Sequence, residues 1–143
     1  MLKLLILVIL SMTADYITTW LFLVTNTGYE SNPLFQHFNE APHLVWRDYI
    51  FSLTAATVVY IIAVKIDAWL RSHGRPALAT ELLWRVAAPG VTLRLYAAVN
   101  NLCVILGGFD LNPGGAVPVI AMAIGAVYVS VMTAVYIRRL LRI

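Results

Sequence analysis

Four stretches of this sequence, at about residues 3–25, 48–71, 89–107 and 116–136, are apolar for long enough to cross a bilayer, which takes ~20 such residues per helix. Runs of that length belong to membrane proteins, and the charge content agrees. Only 12% of the 143 residues are charged and 61% are hydrophobic, whereas a soluble domain carries about twice that charged share. Mean hydropathy is +0.82, and no polar block is large enough for a separate soluble unit. Residues 1–143 therefore read as a single all-α domain, a polytopic four-helix bundle whose first partner is the lipid bilayer.

The first run is apolar apart from Lys3 and a polar group at Asp15. A signal peptide cut after Ala14 is the rival reading of its beginning. Met12 is a poor residue at the small position before such a cut, and the apolar pattern resumes directly after Asp15, so the run is taken as the first span. Residues 26–47 hold Gly28, Pro33, Asn39 and Pro42, too many turn formers for one long helix. Phe35, Leu44, Val45 and Trp46 suggest that parts of this loop lie along the membrane surface, where Trp is favoured. The second span closes with Lys65, Asp67 and Arg71, which are expected to snorkel to water.

Residues 72–89 admit two readings. A short amphipathic helix at 77–88, with Glu81 and Arg85 four apart on its wet side, lies flat on the membrane, and Pro89 opens the third span where its missing amide hydrogen costs nothing. Alternatively one helix runs from about Glu81 and kinks at Pro89-Gly90. The break is preferred, because 89–107 alone already spans ~28 Å. The run GGFDLNPGG at 107–115 is a connector between adjacent helices. In the fourth span Ala126, Ser130 and Ala134 form a small-residue stripe that would let a neighbouring backbone come close.

The formal net charge of +3 does not point to nucleic acid, because the basic residues sit at helix ends. Lys3 stands at the N-terminal end of the first span; Lys65, Arg71, Arg75 and Arg85 lie in or near the second connector; Arg138, Arg139 and Arg142 follow the fourth span. The first and third connectors hold Arg47 alone. By the positive-inside rule both termini are expected in the cytoplasm of a multi-pass cell-membrane protein, with the loops of Glu30 and Asp110 outside. Cys103 is a lone thiol in an apolar run and reads as packing.

Asp15 stands where a carboxylate is expensive and usually has a partner. Thr18 and Thr19 follow three and four residues on, along one helix face. Measured inward from the outer ends of the spans, Thr18 and Thr19 lie roughly 10 Å deep, level with Asn100 and Asn101 on the third span. Asp15 lies ~15 Å deep and Arg94 ~20 Å, a gap an arginine can bridge. Arg94 and Asn101 are seven apart and share a face, so Asn101 is better placed than Asn100 to join the Asp15 side.

Three functions compete for this group. It is a buried network that fixes helix partners in a structural or assembly subunit. Or Asp15, Thr18, Thr19 and Asn101, with Glu30 and Asn32, form an oxygen-rich cavity for transport or binding of a small polar solute or hard cation, in a protein expected to be a homo-oligomer because four helices enclose little room. Or the site is enzymatic at the outer interface, with Asp15 or Glu30 as base and Arg94 and the asparagines holding an anionic lipid head group. No Gly-rich phosphate loop, zinc motif or Cys-His pair is present, and the spans hold no histidine for haem, so no cofactor is expected. His37 and His43 are six apart with Glu40 between them, a spacing that does not match a helical metal pair, and no metal is assigned.

D-Y-I-T-T at 15–19, followed by G-Y-E-S-N-P-L at 28–34, resembles the signature of a family of small prokaryotic four-helix membrane proteins, in which D-x-x-T-T precedes G-x-x-E-x-N-P. Here one residue, not two, separates Gly28 from Glu30. The resemblance covers the first helix and its exit. It implies that Asp15, Thr18, Thr19, Glu30, Asn32 and Pro33 are the functional positions and implies no activity. On the residues themselves the expected function is binding or passage of a small polar solute or cation, with Asp15 as ligand or proton acceptor and Arg94 as its counter-ion.

Overall fold

The described residues form four long helices, α1 (Leu2–Val24), α3 (Leu44–Ser72), α4 (Ala79–Gly107) and α5 (Ala116–Leu141), and the single turn α2 (His37–Glu40). The computed structural model describes residues 2–25, 27, 30, 35–111 and 116–141, with the backbone alone at 118, 140 and 141; Asn32 and Pro33 lie outside the described residues. No strand occurs among them. All four long helices are long and apolar enough to cross a membrane. Their hydroxyls are silenced locally: Ser11, Thr13, Thr54, Thr57, Thr92 and Ser130 each donate to a carbonyl three or four residues earlier, at 2.8–3.0 Å. A donor without water must find an acceptor, and the preceding turn supplies one.

α3 begins at Leu44, a turn earlier than the apolar run suggests. The cause is burial. Val45 has no exposed surface and packs with Met12, Tyr16, Leu23 and Phe38 into the main apolar core. Trp46 meets Trp20 with ring centroids 5.8 Å apart, and Tyr49 meets Tyr16 at 5.4 Å. Leu44 to Trp46 are thus the first turn of a packed helix rather than part of the loop before it.

The preferred break at Pro89 does not occur. α4 is one helix of 29 residues with Pro89 inside it, and residues 79–88 are its first turns rather than a separate surface helix. Its start is fixed by α3: the backbone N–H groups of Ala79 and Thr80 donate to the Asp67 carboxylate at 2.8 and 3.0 Å, and the Thr80 hydroxyl donates to it as well. The opening amides of a helix have no partner within it, and a carboxylate there also suits the positive end of the helix dipole. Asp67 is fully buried in this role, so it does not snorkel with Lys65 and Arg71, which are exposed. At the far end Gly108, with φ +66°, returns its N–H to the Val104 carbonyl and closes the helix in the left-handed conformation that glycine tolerates.

The pairing of side chains sets the directions of the helices. Thr13 and Tyr16 on α1 meet Tyr49 and Asp48 on α3, so these two run antiparallel. Asp15 and Thr19 meet Arg94 and Asn101 on α4 in ascending order, so α1 and α4 run parallel. Arg85 near the start of α4 reaches Tyr136 near the end of α5, again antiparallel. α5 approaches α4 over glycine: a Cβ placed on Gly125 would stand 3.8 Å from that of Pro89. The stripe of Ala126, Ser130 and Ala134 is exposed and does not serve that contact. Large apolar side chains such as Ile50, Phe51, Ile124 and Val127 cover the outside of α3 and α5, a surface matched to hydrocarbon rather than water.

Candidate functional site

The parallel register of α1 and α4 places two polar contacts at different heights. In the lower, Arg94 donates to the Asp15 carboxylate at 2.9 Å. In the upper, the Asn101 amide donates to the Thr19 hydroxyl at 3.1 Å. Each arises because a polar group in an apolar span lowers its desolvation cost by meeting another. The Arg94 guanidinium also lies over the Tyr16 ring, 5.2 Å from its centre.

Tyr16 extends the network to α3. Its hydroxyl donates to the Asp48 carboxylate and lies 3.2 Å from the Ser52 hydroxyl, while Thr13 and Tyr49 share a hydrogen bond at 2.9 Å. Sequence reasoning missed Tyr16, Tyr49, Asp48 and Ser52. The available signal was Tyr16 itself, since a tyrosine inside an apolar run needs a partner for its hydroxyl.

Beside these contacts lies a partly open cavity of about 300 Å³, at the small end of the range for ligand pockets. α1 contributes Asp15, Tyr16 and Thr19; α4 contributes Gly90, Leu93, Arg94, Tyr96, Ala97, Asn100 and Asn101; Met122 of α5 closes one side. Glu30, Phe35 and Phe38 form the roof. Asn39 on α2 holds the roof in place through a reciprocal pair with residue 30, accepting from its N–H at 2.7 Å and donating to its carbonyl at 3.1 Å. Phe35 and Phe38 stack with centroids 5.5 Å apart.

Asp15, Thr19, Glu30, Arg94, Asn100 and Asn101 therefore come together around one space. Thr18 does not join them. It is buried, and its hydroxyl is bonded to the carbonyls of Ala14 and Asp15. Asn100 lines the cavity while its side-chain carbonyl accepts the Leu111 N–H at 2.7 Å, and the Tyr96 hydroxyl donates to the Leu111 carbonyl at 3.0 Å, so both pin the loop that follows α4. Asn32 lies outside the described residues. His37 packs edge-on against Phe38, His43 is exposed, and no three of His, Cys, Asp and Glu converge among the described residues. Among the described residues every buried side-chain nitrogen and oxygen has a hydrogen-bond partner. Compared with protein families, with characterised proteins and with solved structures, the chain finds no match.

Proposed function

We propose that this chain is a multi-pass protein of the cell membrane, a four-helix bundle that binds or passes a small polar solute or cation in the cavity between α1 and α4. One observation carries this reading: the Asp15–Arg94 ion pair forms part of a cavity wall instead of being sealed between helices. A pair kept only to join two helices gains most when nothing else competes for it. Here the Arg94 and Asp15 side chains keep 30% and 18% of their surface open. Asp15 is the main ligand or proton acceptor and Arg94 its counter-ion. Thr19, Asn100, Asn101 and Glu30 supply further polar contacts. The likeness of residues 15–19 and 28–34 to the small prokaryotic family belongs to the same proposal.

Charge distribution supports the orientation. The helix directions put Lys3, Lys65, Arg71, Arg75, Arg85, Arg138 and Arg139 toward one end and Arg47 toward the other. The basic end faces the cytoplasm by the positive-inside rule, and the roof of the cavity then faces outward. A homo-oligomer is the expected assembly.

The test is solute-dependent stabilisation and uptake by the reconstituted protein. Asp15→Asn is expected to fold and to lose both. Uptake in proteoliposomes equal to that of the unaltered protein removes the proposal.

A further inference from the structure

Given that the cavity binds a solute, as proposed above, the class of solute follows from what the Asp15–Arg94 pair leaves open. The pair is held by one hydrogen bond, from Arg94 Nη1 to Asp15 Oδ2. The other carboxylate oxygen and the remaining guanidinium N–H groups make no hydrogen bond among the described residues. Every buried side-chain nitrogen and oxygen among them has a partner, so these atoms are accessible, and both residues line the cavity. The Tyr16 ring, 5.2 Å from the guanidinium, backs Arg94 and keeps its planar fork in one orientation. The wall thus carries a negative acceptor and a positive donor fork side by side.

Such a pair discriminates against a simple ion. Coulomb energy falls only as the inverse of distance, so a cation at the open Asp15 oxygen is repelled by a guanidinium one contact further away. An anion at Arg94 is repelled by the carboxylate in the same way. A solute that carries both charges gains at both ends.

The second observation is the apolar end of the cavity. Gly90 stands one turn, about 6 Å, before Arg94 on the same face of α4. A Cβ there would meet nothing within 4 Å, so the space at that position is open. Gly125 of α5 faces Pro89, which sets Met122, about one turn away on antiparallel α5, near the height of Leu93. Gly90, Leu93 and Met122 therefore form an apolar end on the side of the pair away from the roof. The volume of about 300 Å³ is that of about ten waters, room for a solute of about ten non-hydrogen atoms and too little for a phospholipid.

We infer that the site takes a zwitterion with an apolar side chain, the build of an aliphatic α-amino acid. Its ammonium group sits on the open Asp15 oxygen, its carboxylate on the remaining N–H groups of Arg94, and its side chain beside Gly90, Leu93 and Met122.

Four probes separate these parts: leucine, with both charges and the tail; 3-methylbutan-1-amine, with the ammonium group and the tail; 4-methylpentanoate, with the carboxylate and the tail; and glycine, with both charges and no tail. Each is titrated by calorimetry at neutral pH into the full chain in maltoside micelles. Leucine is expected to bind at least ~10-fold more tightly than the amine or the acid, the size of one charge-assisted hydrogen bond. It should also bind at least ~10-fold more tightly than glycine, through burial of its apolar carbons. Asp15→Asn and Arg94→Gln should each weaken leucine ~10-fold or more. Gly90→Val narrows the apolar end and should lower the ratio of leucine to glycine affinity at least ~5-fold. A smaller margin over the amine or the acid overturns the zwitterion, and a smaller margin over glycine overturns the apolar end; in either case solute binding itself stands. Leucine binding that none of the three substitutions weakens lies elsewhere and overturns the assignment. Binding of none of the four probes overturns the assignment alone; the broader reading falls only when uptake by Asp15→Asn also equals that of the unaltered protein.

Discussion

Asp15 on α1 and Arg94 on α4 meet at 2.9 Å although 79 residues separate them in the chain. Removing either charge leaves the other facing apolar helices without its partner. Asp15→Asn and Arg94→Gln should each lower stability by roughly 1–3 kcal/mol, below the 3–5 kcal/mol of a fully buried pair because both groups are partly open. The double exchange Asp15→Arg with Arg94→Asp should recover most of that loss and none of the solute binding. Unfolding in a denaturing detergent titration reads the first, calorimetry the second. Recovery of binding as well would reduce the pair to a helix fastener.

Asp67 makes a different kind of junction. Replacing it by Ala takes the acceptor from two amides and one hydroxyl in a buried place. A cost of about 2–3 kcal/mol is expected, at the upper end of helix-cap losses, since no water reaches the site. Asp67→Asn keeps one carbonyl acceptor and should lose about half as much. Hydrogen exchange of the first turn of α4 should rise in the same order.

Tyr16→Phe deletes the donor that the Asp48 carboxylate relies on. Expected destabilisation is about 1–3 kcal/mol. Combined with Asp48→Asn it should cost less than the sum of the two single changes, and the double-mutant cycle measures the coupling.

Gly90 lines the lower end of the cavity, and a Cβ added there would meet nothing within 4 Å. Gly90→Ala should therefore raise stability by about 0.5–1 kcal/mol, the ordinary gain for a helix interior. Gly90→Leu should fold as well and occupy the space, so that thermal stabilisation by any cavity ligand disappears. Persistence of that stabilisation would place the ligand outside the cavity.

How much of this was legible from residues alone depended on whether a local rule and a tertiary contact agreed. Asp15 and Arg94 were legible because each is costly in hydrocarbon and each lay within reach of the other. Thr19 and Asn101 followed from equal depth. Thr18 was not separable from Thr19 by spacing; the carbonyl one turn back claims its hydroxyl, and only the helix environment decides which threonine faces out. Pro89 invited a break under a rule about proline, but the anchor that starts α4 ten residues earlier is on another helix. Asp67 was hidden for the same reason. Flanked by Lys65 and Arg71, it resembled a wet helix end, and its purpose exists only once residues 79 and 80 fold back onto it. Asp48 looked like the polar edge of a span because its partner, Tyr16, is 32 residues away.

The two contacts between α1 and α4 sit four residues apart on one helix and seven apart on the other. A single bolt lets two rods pivot; a second at another height stops both screw and slide. The pair therefore behaves as a rigid post, and any ligand of the space beside it would have to enter past Phe35 and Phe38 or past Met122 rather than by parting α1 from α4.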